Sequence, residues 1–398
     1  MTAVGNLRLP NRVTSRGKRS NMKKIVTVAI IALTPVWVVL PGRSKLAVWG
    51  RKTKRRGIKV FLVFSVFSVT AIALAAASCG SPTIPTPYVA EEFAICTNPT
   101  GQWAIAISGD IVVWSDERHG NRDIYGYNLS TESEFAICTD PSDQIDPAIS
   151  GDIVVWFDWR NSQEQRNSDI YGYDLSTNTE FPICTNLATQ FSPAVSGDIV
   201  VWQDERNGNP DIYGYNLSTE TEFPICTDSS DQWEPAVSGN IVIWRDRRSG
   251  NWEIYGYNLA TDTEFAICTH PAGPNAAAIS GDIVVWVDYR RGDADIYGYN
   301  LATAEESAIY TNPDSQEWPA ISGDIVVWVD YRNGNADIYG CNLATDEEFA
   351  ICTDSAFQGW PTISGDIVVW QDERNAIIEN RDIYGAKLSF EEWMKAEQ

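Results

Sequence analysis

Histidine is nearly missing from this chain: His119 and His270 are its only two, 151 positions apart. Neither sits in an HExxH or GxSxG setting, which excludes the zinc-peptidase and serine-hydrolase chemistries that depend on such pairs; both read as surface loop residues. Acidic residues are absent from a whole region. Residues 1–79 hold fifteen Lys and Arg and no Asp or Glu, so the remaining 15 basic and all 53 acidic residues lie further on. That later region is therefore strongly acidic, which excludes a nucleic-acid partner, because phosphate backbones are bound by basic surfaces that release counterions. Helical periodicity of useful length is also lacking.

What is present at the start is an address. "VFLVFSVFSVTAIALAAA" (60–77) follows the basic "RKTKRRGIK" and precedes Ser78 and Cys79, the order of a secretory signal. Its end, "AASC", is similar to a lipobox, which makes Cys79 the lipidation candidate. An uncleaved signal anchor is the other reading of 55–79, since 18 apolar residues just span a bilayer. Residues 1–54 are a basic extension, either a first membrane segment (Ile25–Leu40, broken by Pro35) or a mis-assigned start, and residues 80–90 are a Pro-rich tether. All readings place the remainder outside the cytoplasm, at the cell surface or in the periplasm, tied to the membrane.

From there the chain repeats itself. The tryptophans of "VVW" or "VIW" stand at 114, 156, 202, 244, 286, 328 and 370, a step of 42 residues broken once by 46. A period of this length must be read before any domain count. Each unit holds four short runs rich in β-branched and aromatic residues: A, "PAVS"; B, "DIVVW"; C, "DIYGYNL"; D, "EFPICT". "SGD" between A and B is a two-residue hairpin signal, and "DERNGNPD" is a longer hairpin loop. Four antiparallel strands per unit predict an all-β, seven-bladed propeller over 91–390, with 391–398 a tail. The region opens on a D strand, "EFAICT" (92–97), and closes on a C strand, "DIYGAKL" (382–388). The first D strand is thus expected to pair with the last C strand and close the ring.

The order Asp-x-Arg-x-Gly-Asn-x-Asp-Ile-Tyr at Asp204–Tyr213, echoed in every repeat, resembles the TolB-like propeller repeat of bacterial and archaeal surface proteins. It departs from that pattern where Ser-Gly-Asp replaces a Ser-Pro-Asp-Gly turn. The resemblance implies a propeller and an extracellular platform, not a place in the Tol translocation system.

Candidate sites divide into what repeats and what varies. An Asp two residues and an Arg four residues after each core Trp recur as Asp116/Arg118, Asp158/Arg160, Asp204/Arg206, Asp246/Arg248, Asp288/Arg290, Asp330/Arg332 and Asp372/Arg374. Sevenfold recurrence argues for structure: the Arg is expected to tie this Asp to the acidic residue opening strand C, such as Asp123 or Glu253. The Arg also opposes a cation, so no metal and no cofactor is expected; calcium is admissible only at a deviant loop such as Asp293–Asp295. Cys96, Cys138, Cys184, Cys226, Cys268 and Cys352 share one D-strand position, where the sixth D strand has Tyr310. Equivalent sites on separate blades lie too far apart for disulfides and read as small buried residues; Cys341 with Cys352 is the one pair whose bridging depends on hairpin register.

Variation is concentrated just before strand A. Gln102, Gln144, Gln190, Gln232, Gln316 and Gln358 stand there, with Pro274 in the fifth blade. Trp103, Ile145, Phe191, Trp233 and Asn275 follow at the next position, and Trp318 and Trp360 one further on. These loops surround the mouth of a propeller's channel, where amides and aromatic faces suit a sugar chain or an extended peptide. The alternative is that the Gln residues brace strand A and the rings fill gaps between blades. The functional expectation is a non-catalytic, membrane-anchored binding or scaffolding module at the cell surface, its partner a protein, glycan or envelope polymer. A lyase or glycosidase using Asp143, Asp231 or Glu234 is one alternative. A structural envelope component, with Asn128 and Asn216 as glycan acceptors, is another.

Overall fold

The computed structural model describes residues 88–162, 167–375 and 381–389. The N-terminal extension, the signal region with Cys79, all but the last three residues of the tether, and the C-terminal tail lie outside the described residues.

Within the described residues there are 28 strands and no helix, arranged as seven four-stranded antiparallel sheets. In blades 1 to 6 the strands run A-B-C-D in chain order. Blade 7 takes A, B and C from Gln358–Ser364, Ile367–Asp372 and Asp382–Ser389, and its fourth strand is Tyr88–Cys96 from the start of the domain. The chain is a seven-bladed β-propeller closed by its first strand, as expected. That strand begins at Tyr88, inside the expected tether, because strand C of blade 7 runs on to Ser389 and Tyr88 is paired with it.

The A strands of neighbouring blades are packed side by side around the central axis. Each blade therefore meets a neighbour on both faces, and the core is seven separate layers between blades. Val112 and Trp114 pack towards blade 7 while Val113, one residue between them, packs towards blade 2. Alternate side chains leave a strand on opposite faces, so a strand buried on both must be apolar throughout. All seven core tryptophans are fully buried.

A full turn of hydrogen bonds closes the A–B turn end of the channel. Each turn glycine has positive φ (Gly109 at 55°) and offers its N–H to the serine Oγ of the preceding blade. The bonds run Gly151 to Ser108, Gly197 to Ser150, and onward to Gly109 on Ser364, at 2.9–3.0 Å throughout. The seam between blades 7 and 1 is made like every other.

The repeated Asp–Arg pair is confirmed, with a different second partner. Asp204 Oδ2 accepts from the Trp202 indole at 3.0 Å, and Arg206 grips the same carboxylate through Nε and Nη2. The guanidinium then lies 4.0 Å over the Tyr213 ring and reaches Glu222 on strand D, not Asp211 at the start of strand C. Asp211 is held instead by Asn207 and Asn209. The reason is reach: the long Arg side chain lies across strand C to its far edge, while the short Asn side chains serve the loop. At the seam Arg374 pairs with Glu92 of the first strand in the same way. Burial opposes the charge of Asp116 and Asp288, but the hydrogen bonds from Arg and Trp prevail and hold both below the usual carboxylate range.

The cysteines among the described residues are buried and free. Burial pushes the thiols up, to about 12 at Cys96 and Cys352, so they act as small apolar residues, and the six on strand D are capped by the next blade's arginine, as Arg206 caps Cys184 at 3.3 Å. Cys341 and Cys352 do not bridge: Cys341 is opposite Glu348 and Cys352 opposite Ile338, so the hairpin register separates them.

Candidate site at the channel mouth

The six glutamines belong to strand A itself, as its first residue. All are fully buried. Each Nε2 donates to the backbone carbonyl two residues earlier (Ser142 for Gln144, 2.6 Å), closing the D–A turn. Each backbone N–H donates to the carbonyl before strand C of the previous blade, as Gln144 does to Arg122 at 2.7 Å. The amides therefore brace adjacent blades and do not form a ring around a ligand. Their place opposite the buried Asp of strand B, Gln102 across from Asp116, turns them into the space between blades.

Of the two variable positions, the second lines the channel. Strand A carries a β-bulge here, and the residue two after the glutamine position has positive φ in all seven blades: Ala104, Asp146, Ser192, Glu234, Ala276, Trp318 and Trp360, between 48° and 54°. The bulge re-aims this residue at the axis, where six of the seven border a cavity of about 470 Å³. For tryptophan this conformation costs about 1 kcal/mol or more, and such strain is concentrated at functional sites.

Around the cavity the blades stop being alike. Between blades 6 and 7, Trp318 and Trp360 stack at 4.7 Å, and at the seam Arg381 lies 4.4 Å from the Trp360 ring and 4.8 Å from Trp103 of blade 1. Glu373 and Gln371 hold that guanidinium. In blade 4, Trp233 packs on Trp252 at 5.2 Å, Arg245 lies 4.5 Å over Trp252, and its Nη1 meets both oxygens of Glu234 at 3.1 Å. Seven-blade geometry puts blade 4 opposite the seam between blades 7 and 1, so the two clusters face each other across the mouth. Phe191 packs with Phe157 and Trp159 between blades 2 and 3.

The charges follow the same division. Apart from the seven repeated arginines, the described basic residues are Arg122, Arg245, Arg247, Arg291, Arg381 and Lys387, and all but the last lie on this face. Arg122, Arg245 and Arg381 are each paired, with Glu117, Glu234 and Glu373. The mouth thus offers planar ion pairs beside aromatic floors rather than a net positive field.

Of the acid and base candidates, Asp143 accepts the Arg122 N–H at 2.9 Å, Asp231 takes the Arg247 N–H on its backbone carbonyl, and Glu234 is neutralised by Arg245. Two carboxyls, Glu234 and Asp146, border the cavity; Asp146 is open to the channel space, and partial desolvation there raises its pKa against the pull of Arg122. Sequence reasoning missed Asp146, although it shares the position of Trp318 and Trp360. His119 bonds the Tyr125 hydroxyl and His270 accepts the Ala272 N–H, both within loops. At Asp293–Asp295, Asp295 faces Arg291 at 3.8 Å, and among the described residues no three His, Cys, Asp or Glu side chains gather as metal ligands. Asn128 and Asn216 turn their amide oxygens onto the C–D turns, to the N–H groups of Thr131 and Thr219.

No family model matches the chain, and no curated protein is similar to it. Solved structures are. The β-propeller domain of the Trilobed protease from Pyrococcus furiosus, described as having an open velcro topology, covers 74% of this chain and all of its own at 15% identity and a TM-score of 0.59. Oligogalacturonate lyase from Vibrio parahaemolyticus matches 76% of this chain and 97% of its own at 14% identity and 0.56. TolB from Acinetobacter baumannii is also a neighbour, at 18% identity, 67% of each chain and 0.47. The first two likenesses establish the fold and its class, the β-propellers, and nothing finer.

The channel carboxyl gives a direct test. A folded-state pKa raised above the ordinary aspartate value of 3.8 costs stability at neutral pH, and the cost disappears as pH falls to that value. Asp146→Asn is expected to raise Tm at pH 7 and to lose that pH-dependent part of the gain below pH 4, measured by calorimetry. An increment that does not change with pH assigns no raised pKa to Asp146.

Proposed function

We propose that the protein is an exported, membrane-anchored propeller of the cell surface that binds without catalysis, holding an extended glycan across its channel mouth. The observation that carries this is the pair of opposed aromatic–arginine clusters, Trp318/Trp360/Arg381 and Trp233/Trp252/Arg245, on a scaffold otherwise repeated sevenfold. Sugar rings stack on tryptophan faces, while ion-paired Arg and Glu groups present the planar donors and acceptors that hydroxyl pairs need. The large hydrophobic side chains exposed among the described residues, Leu187, Trp233 and Tyr289, lie on this same face. Export and anchoring are supported by the basic-apolar-small order that ends at Cys79.

A carbohydrate-active enzyme is the second reading, favoured by the raised pKa of Asp146 in the channel. The same binding assay separates the two, because an enzyme shortens the glycan it is given.

Titration of the full chain with neutral and acidic envelope glycans is expected to show saturable binding with no change in glycan length. Trp233→Ala and Trp360→Ala should each weaken it about tenfold, the loss of one stacked ring. Binding unaffected by either substitution, or no binding to any glycan, rejects the reading. Expression with a radiolabelled lipid precursor is expected to label the chain and to leave Cys79→Ser unlabelled; equal labelling of both removes the lipid anchor.

A further inference from the structure

One groove on the outer rim lacks what the others contain. In six blades a strand-D phenylalanine covers the strand-C glycine, so closely that a Cβ on that glycine would lie 2.6–2.9 Å from the ring, as at Gly126 under Phe135. The ring also packs towards strand C of the next blade, where a tyrosine stands in most cases; Phe181 and Tyr215 join one layer between blades 2 and 3. Five of the seven grooves keep both rings, and the one between blades 6 and 7 keeps Phe349 beside Ala386. Between blades 5 and 6 both are replaced, by Ser307 and Cys341.

The consequences are visible locally. Ile309 is only half-buried, whereas its counterparts, such as Ile183 at 7% exposure, are buried. The groove holds a cavity of about 690 Å³ with Gly298, Ile309 and Cys341 in its lining; the equivalent groove between blades 2 and 3 holds about 560 Å³. In blade 4 the strand-C Tyr257 donates to Asp262 of the C–D turn; the equivalent Asp346 faces Cys341 and has no ion-pair or side-chain hydrogen-bond partner among the described residues. Glu305, on the same rim, is likewise exposed without an ion-pair partner among the described residues. Strand D, Glu305–Tyr310, is the outermost strand of its sheet, so its outer backbone edge is open.

We propose that this notch is a docking site for an extended peptide of another protein, one aromatic side chain of which fills the space left by the missing rings. The occupant is argued from three features. The vacant space is complementary to aromatic side chains, because that is what the fold places there elsewhere. The free carboxylates of Asp346 and Glu305 select a lysine or arginine beside the ring. An open strand edge next to a side-chain pocket is the arrangement by which sheets bind extended peptides, the edge giving affinity and the pocket specificity.

The test uses the full chain and a probe peptide of alternating valine and lysine around a central phenylalanine, with an alanine-centred control, read by fluorescence anisotropy. Saturable binding is expected, at least tenfold weaker for the control. Ser307→Phe/Cys341→Tyr restores the side chains of the other grooves, so it should fold with an equal or higher Tm and lose the probe. Asp346→Lys is expected to weaken binding several-fold without filling the notch, whereas Trp360→Ala at the channel mouth should leave it unchanged. Equal binding of both peptides, undiminished binding by the refilled variant, or no binding by the parent overturns the proposal. So does a parent dimer in sedimentation that the refilled variant dissociates, since a second copy would then occupy the groove.

Discussion

One buried carboxylate per blade holds the propeller together. Asp204 is fully buried, yet it accepts from Trp202 in the core and from Arg206 in the B–C loop, and through Arg206 it is linked to Tyr213, to Glu222 and to Cys184 of the preceding blade. Removing one partner from such a buried pair costs about 3–5 kcal/mol, because the other is left uncompensated. Strand B can be apolar on both faces because this pair at its end satisfies the indole and orders the loop.

A scaffold repeated this strictly cannot distinguish one direction of a ligand from another. Recognition has to come from positions that the repeat leaves free, and the structure gives two such sets. The bulged residue two after the glutamine position borders the channel cavity in six blades, and there the chain varies from Ala104 to Asp146 to Trp318. The outer groove is the other set, where the Phe and Tyr consensus loses both rings only once, at Ser307 and Cys341. The tightly bonded ring of serines and glycines at the opposite end carries the same residues in all seven blades.

The fold was legible because its signals are local and occur seven times. The 42-residue step gave the blade, and the phase of the first D strand against the last C strand gave the closure. The site was only half legible. Sequence showed where the repeats differ, before strand A, but not that Gln144 is buried while its neighbour but one, Asp146, lines the channel; that division depends on a bulge that the run of residues does not announce. The Arg partner was misplaced for a similar reason. Asp211 is nearer in sequence to Arg206 than Glu222 is, but the side chain spans the tyrosine face to the next strand. Register likewise decided Cys341 and Cys352.

Closure of the ring is the claim on which the channel-mouth site depends, since the aromatic–arginine cluster of Trp103, Trp360 and Arg381 straddles the seam. Amide hydrogen exchange read by mass spectrometry tests it directly. A closed ring predicts that the Phe93–Ile95 amides, paired with strand C of blade 7, are protected as strongly as their counterparts Phe223–Ile225 within blade 3. Exchange of the first strand at the rate of a free chain, with blade 3 still protected, would contradict it.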